Sequence, residues 1–400
     1  MIGIFGQFYL NSLKDISLRN MIGRIPDRLK KKTYKGRNFH VGIANHDTDY
    51  GCSFYQDTDG SFCIFIGEAV VHNNPNISNI AEHLFNLIDD KNFSRVSDLN
   101  GMFSAILVYP RKNTFKFVSD RLGTWPLFIW HEKDHYVFSS NLYTLLGCQK
   151  IKAEIDTQAV IELFSFNRII GSTCPIKNVE YFSPATIMEI DNTGVKKHIY
   201  WNLEFFKPKF KLQEAPHILA EELKKSLFAS SGSGLLLSGG LDSRLVLAAS
   251  PKNSLRSYTT ASYKENPELD IAKKIANSFN SEHKEIITEP HEDFEILDET
   301  IKANNCMFPA STIMATFLPK VAEKENIILT GHGLDYTFRG YYLPAKFISF
   351  RGSHTRLPIL RKFGSEISGE TILDNLNEAL EKAVSEEEYE MAARLRDRIK

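Results

Sequence analysis

The chain has 400 residues, enough for two or three domains with ample core. Hydrophobic residues make up 42% and charged residues 24%, which excludes a disordered or fibrous chain. A net charge of −1 argues against nucleic acid or an acidic membrane surface as partner. The five cysteines, Cys52, Cys63, Cys148, Cys174 and Cys306, form no C-x-x-C pair, so neither a disulfide framework nor a zinc pattern is expected. No apolar run is long enough to span a bilayer, and the first residues do not read as a signal peptide, so a reducing, cytoplasmic setting is expected.

In chain order, the basic stretch from Arg24 to Arg37 reads as a solvated loop rather than a phosphate site. Apolar runs predict strands over 62–67, 102–109, 114–119 and 136–139. Ile77, Ile80, Leu84, Leu87 and Ile88 fall at helical spacing. A helix is predicted over 155–163 with Asp156 at its N-cap, followed by a strand pair over 179–190 around Ser183-Pro184 and a turn at 191–194. A helix over 215–228 leads to the apolar strand 235–237, the turn Ser238-Gly239-Gly240-Leu241-Asp242-Ser243, and a helix over 241–249 that ends before Pro251. Further strands over 255–260, 285–288 and 327–330 alternate with a helix over 268–279. That alternation predicts a parallel, doubly wound sheet, with Ser238, Thr260 and Asp335 at the carboxyl edge where such sheets bind ligands.

The turn after strand 235–237 carries the chemistry. The first N–H groups of a helix have no intrahelical partner, and the helix dipole favours negative charge there. Gly239 and Gly240 place no Cβ in the way of an anion, and Ser238 and Ser243 add hydroxyl donors. Asp242 suits a phosphate cradle only when a cation stands between it and the phosphates. The G-x-x-x-x-G-K-[ST] spacing of a Walker loop is absent.

This strand-SGGLDS-helix pattern resembles the pyrophosphate loop of the N-type ATP pyrophosphatases. Upstream, Gly3-Ile4-Phe5-Gly6, Asn100-Gly101-Met102-Phe103-Ser104-Ala105, the segment Asp120-Arg121-Leu122-Gly123-Thr124-Trp125-Pro126-Leu127-Phe128, and Ser139-Ser140-Asn141 resemble the glutaminase domain of asparagine synthetases. The resemblance implies an N-terminal-nucleophile αββα sandwich over 1–150 and a connecting region over 151–212. It then implies an α/β parallel-sheet ATP pyrophosphatase domain, adenine nucleotide α hydrolase-like, over 213–352. In the family the nucleophile is a cysteine at position 2 whose own α-amino group is the base. Here that position is Ile2, and the family's Asn-Gly-Glu glutamine segment reads Ile66-Gly67-Glu68. No glutamine hydrolysis is therefore expected, and the domain is expected to serve as a structural partner.

The segment from Thr330 through Gly331-His332-Gly333-Leu334-Asp335 to Tyr341 resembles the family's S-G-x-G-x-D-E-x-F-x-G-Y loop. His332 and Tyr336 replace acidic residues there, which removes aspartate as the obvious substrate. The resemblance implies that Leu237, Ser238, Gly239, Gly240, Leu241, Asp242, Ser243, Thr260, Thr330 and Gly331 hold ATP and its pyrophosphate. It further implies that Asp242 and Asp335 are catalytic and share Mg2+. Residues 353–400 replace a longer helical section with a charged stretch similar to the UVR motif, a helical hairpin for protein contact. The implied reaction is ATP-dependent amide-bond formation through an acyl-adenylate of a carboxylate substrate. The alternative is a catalytically incomplete nucleotide-binding adaptor or a truncated homologue.

Overall fold

The computed structural model describes residues 3–11, 16–46, 51–71, 77–204, 211, 213–227, 233–251, 254–307, 312–325, 327–332, 345–350 and 353–358. The chain divides into two units, residues 1–331 and 332–400.

The first unit opens with β1 (Gly3–Tyr9), α1 (Arg19–Ile22), β2 (Lys30–Lys35), β3 (Phe39–Asn45), β4 (Cys52–Gln56) and β5 (Phe62–Val71). Then come α2 (Ile80–Asp89), β6 (Leu99–Tyr109), β7 (Thr114–Ser119), β8 (Phe128–Glu132), β9 (His135–Ser139), α3 (Leu142–Leu145) and α4 (Thr157–Phe166). Three strands follow: β10 (Val179–Tyr181), β11 (Thr186–Asp191) and β12 (Gly194–Ile199). They build two antiparallel six-stranded sheets, of order β10-β8-β9-β1-β3-β2 and β12-β11-β7-β6-β5-β4.

The sheets pack face to face. Ile4, Phe8, Phe39 and Val41 of the first meet Phe62, Ile64, Phe115 and Phe117 of the second, with the Phe8 and Phe115 rings stacked at 3.7 Å. The outer face of the second sheet is covered by Leu84, Phe85 and Ile88 of α2, and that of the first by Met21, Leu142 and Leu145 of α1 and α3. The four layers are the αββα sandwich. Strands covered on both sides need no polar alternation, which is why β5 and β6 read as continuous apolar runs. Asn79 caps α2, accepting from the N–H groups of Ala81 and Glu82, and the Ser53 hydroxyl of β4 donates to it at 2.7 Å.

Two expectations fail here. Strands β10 and β11 are not a pair: β10 hydrogen-bonds β8 in one sheet and β11 bonds β7 in the other. The chain crosses between sheets over 182–185, so strands expected in a connecting region are members of the sandwich. The basic stretch is not a loop either. Lys30–Lys35 forms the edge strand β2, where lysines discourage a further strand from adding.

Asp120 organises the sandwich end. It is 1% exposed, and its carboxylate accepts from the N–H groups of Phe103, Leu122, Thr124 and Trp125 and from the Thr124 hydroxyl, at 2.8 to 3.1 Å.

The remainder of the unit holds α5 (Ala215–Leu227), β13 (Gly234–Leu236), α6 (Leu241–Ala249), β14 (Arg256–Ala261), α7 (Pro267–Ser278), β15 (His283–Ile287), α8 (Pro290–Ala303), α9 (Thr312–Ala322) and β16 (Ile328–Thr330). The four strands form a parallel sheet of order β15-β14-β13-β16. Leu235 and Leu237 pack with Val246, Leu247, Ala272 and Ala276 on one face, and Tyr258 and Ile286 with Phe317 and Val321 on the other. Helices on both faces explain the apolar run at 235–237. At the amino edge, Glu325 is fully buried and binds Arg256 and the Tyr258 hydroxyl. Burial and this carboxylate push the Tyr258 hydroxyl up to about 12, so it remains a donor at neutral pH.

In the second unit, β17 (Ala345–Phe350) and β18 (Ser353–Pro358) pair antiparallel. The UVR-like stretch lies outside the described residues.

Asp120→Ala strips the acceptor from five donors and is expected to cost about 3 kcal/mol or more of sandwich stability. Calorimetry on the whole chain checks this, and an unchanged unfolding temperature would contradict it.

Candidate functional site

Strand β13 lies between β14 and β16, so the sheet turns back on itself there. Parallel sheets leave a crevice at the carboxyl ends of the strands at such a point. The register Leu236↔Tyr258 and Leu236↔Thr330 brings the Ser238 turn, Thr260 and Gly331 to one edge.

The turn is closed by two hydroxyls. Ser238 N–H donates to Ser243 Oγ at 3.0 Å, the two hydroxyls are 3.0 Å apart, and Gly240 N–H donates to Ser238 Oγ at 3.1 Å. Ser243 is 5% exposed, so this ring of bonds sits under the loop. Gly240 caps α6 and offers no side-chain acceptor to it, which leaves the first helical N–H groups for a ligand. Asp242 stands in the first turn of α6.

The two glycines differ in purpose. Neither has a positive φ. A Cβ on Gly239 would meet Ile271 Cγ2 of α7 at 3.2 Å, so α7 packs onto it. A Cβ on Gly240 would meet only Ser238 Oγ, at 3.1 Å, so that face is open to an incoming group. Gly331 is under the strictest demand: a Cβ there would stand 2.5 Å from Ser243 N and 2.7 Å from the Asp242 carbonyl carbon.

The remaining named residues fall as follows. Leu237 is 2% exposed and its side chain is core, so it contributes backbone alone. Leu241 is 55% exposed at the start of α6. Thr260 Oγ1 is buried without a hydrogen-bond partner at the carboxyl edge, as a waiting ligand contact would be. Thr330 is exposed at the end of β16. Asp335 lies outside the described residues, so the pairing of Asp242 with it is not described. Among the described residues no group of three or more His, Cys, Asp or Glu gathers as a metal cluster. A magnesium ion shared with phosphates needs only one or two carboxylates.

Sequence reading missed two residues. Thr259 Oγ1 donates to the Leu237 carbonyl and fixes the strand end beneath the turn. Glu268 Oε1 accepts from Gly239 N–H at 3.2 Å. Both contacts join residues more than twenty apart, which no local motif records.

The sandwich offers a second place of interest. Gly67 has φ +99°, and a Cβ there would meet the Met102 carbonyl oxygen at 2.0 Å, so the Ile66-Gly67-Glu68 segment demands its glycine. A cavity of 420 Å³ opens beside the start of β1, lined by Gly3, Ser140, Asn141, Tyr143, Glu299 and Lys302. Ile2 itself lies outside the described residues.

A glutamine amidotransferase domain model matches residues 78–201 and an asparagine synthase model matches residues 215–399. The two matches, following one another along the chain, support an asparagine synthetase-like family. It is 26% identical over 285 residues to a putative glutamine-hydrolyzing asparagine synthetase of Methanocaldococcus jannaschii, covering 65% of this chain and 53% of that one. It is 22% identical over 272 residues to asparagine synthetase 3 of Bacillus subtilis, with 62% and 44% covered. The mouse enzyme is 26% identical over 279 residues, with 61% and 46% covered. The chain thus spans about half the length of the curated relatives it matches. Among solved structures it is similar to the glutamine phosphoribosylpyrophosphate amidotransferase of B. subtilis, at 12% identity and TM-score 0.32, with 70% of this chain and 65% of that one covered. The asparagine synthase match runs through the stretch read as UVR-like. Among the described residues no helix is long and apolar enough to cross a membrane.

In this asparagine synthetase-like chain, Gly331→Ala is expected to displace the first turn of α6 and weaken ATP binding at least tenfold while the far-ultraviolet circular dichroism stays unchanged. Calorimetric titration with ATP reads this, and undiminished affinity would count against the packing described.

Proposed function

We propose that the chain is an AMP-forming carbon–nitrogen ligase. A carboxylate oxygen attacks the α-phosphorus of ATP, pyrophosphate leaves, and an amine then displaces AMP from the acyl-adenylate to give an amide. The observation that carries this reading is the Ser238–Ser243 turn at the carboxyl edge of the parallel sheet. There, Gly240 leaves an open face over an uncapped helix start. Donors placed where the pyrophosphate charge develops lower the barrier to its departure. Ser238 and Ser243 hold the turn in shape so that little reorganisation is needed.

The residues fit magnesium ATP by two marks. A Cβ on Gly240 would intrude on the cradle, and the buried Thr260 hydroxyl lacks a partner beside it. Asp242, with Asp335 from the second motif, would hold the magnesium, which neutralises charge on the phosphates. Asp242, Gly331 and Thr260 orient what enters.

The amine is supplied from outside the sandwich, as free ammonia or as an amine on the substrate. This rests on Ile2, whose side chain cannot attack an amide, and on the altered Ile66-Gly67-Glu68 segment. The sandwich then acts as a structural partner. The C-terminal stretch is proposed as a contact for another protein.

The test is pyrophosphate release from ATP by the whole chain with a panel of carboxylates, with and without glutamine. Release with at least one carboxylate and no glutamate formed are expected. Ser243→Ala is expected to lower the rate about tenfold or more. ATP binding without release for any carboxylate would leave a nucleotide-binding protein instead, and glutamate formation would refute the outside amine.

A further inference from the structure

The cradle has an occupant of its own. Gly239 N–H, in the middle of the turn, donates to Glu268 Oε1 at 3.2 Å. Glu268 is the second residue of α7, whose N-cap Asn266 accepts from the Glu268 N–H at 2.9 Å. The helix start therefore favours a carboxylate at that position. Packing holds the two groups together: the space beside Gly239 is filled by Ile271 Cγ2 and by Glu268 Cγ. Glu268 is exposed, and so is its bond to Gly239, so solvent and solutes reach the carboxylate.

The amides on either side of it are committed inside the loop, Ser238 N–H to Ser243 Oγ and Gly240 N–H to Ser238 Oγ. Gly239 N–H is the loop amide satisfied by a charged group from a separate element. A carboxylate on a backbone N–H is the geometry a phosphate oxygen would take at the same amide.

We propose that Glu268 is a displaceable anionic cap of the pyrophosphate cradle. It satisfies Gly239 N–H while the site is empty and yields that donor to a phosphate oxygen when the nucleotide enters. This rests on the cradle reading and adds its regulation. A cap of this kind costs affinity and gains selectivity. The resident carboxylate repels weakly charged anions that cannot replace its bond, while a polyphosphate with several oxygens and its own cation can.

The contrary role is a positioning one, in which Glu268 stays on Gly239 and shapes the loop for the ligand. The two roles predict opposite signs. The experiment is calorimetric titration of the whole chain with inorganic pyrophosphate, magnesium in excess, for the native protein, Glu268→Gln and Glu268→Ala, at low and high salt. Under the cap, both variants bind about threefold to tenfold more tightly than the native chain. The gain shrinks at high salt because the site is exposed. Weaker binding by Glu268→Ala, or equal affinity in all three, overturns the cap and leaves the cradle intact. Binding by the variants where the native chain shows none supports it. No binding by any of the three removes the cradle and its cap together.

Discussion

The hydroxyl of Ser243 belongs to a helix and closes the loop that precedes it. By accepting Ser238 N–H and meeting Ser238 Oγ, it ties the end of β13 to the first turn of α6. A turn of small residues would otherwise sample many conformations, and ordering it on ligand entry would cost conformational entropy. Gly331 from the neighbouring strand end presses on the same first turn, with no room for a Cβ beside Ser243 N. Thr259 fixes the Leu237 carbonyl from the other neighbour. Three strands of one parallel sheet thus hold the start of one helix, and the position of its amides follows from the sheet.

Legibility in the sequence tracked the range of the forces involved. Helix α6 begins and ends where the pattern placed it, because Gly240 and Pro251 are local signals. The Asp156 N-cap is visible in the same way, its carboxylate accepting from Gln158 N–H at 2.8 Å. The apolar pattern predicts none of the first four strands. Strand β2 is Lys-Lys-Lys-Thr-Tyr-Lys, whose character as a strand comes from pairing with β3 and not from its own residues. Strands β10 and β11, close in sequence, fall in different sheets because the chain crosses the sandwich at 182–185, and a periodicity of two carries no sheet membership.

The site divides along the same line. Ser238, Gly240 and Ser243 act within six residues, so a motif could name them. Leu237 belongs to the motif yet spends its side chain on the core. Glu268 lies outside any motif, and its relation to Gly239 exists only because α7 packs across the turn. The helix predicted over 268–279 thus begins with a residue that is bonded to the central amide of the loop.

The sandwich is bound to the parallel-sheet half by more than sequence order. Asn305, 4% exposed and with φ +59°, accepts from Leu142 N–H at 2.8 Å and from Asn141 Nδ2 at 3.1 Å. Asn141 Nδ2 also donates to the Lys302 carbonyl, and Ile169 N–H to the Met307 carbonyl. These bonds satisfy polar groups at the end of α8, where an unmet buried donor or acceptor costs about 1 to 3 kcal/mol. Lys320 of α9 in turn binds Glu292 of α8 at 2.9 Å, and α9 supplies Phe317 and Val321 to the underside of the parallel sheet. Removing the sandwich would therefore orphan the end of α8 and loosen the helix against which α9 rests. The sandwich therefore has a packing role that does not depend on a nucleophile, and Asn141 serves that packing directly.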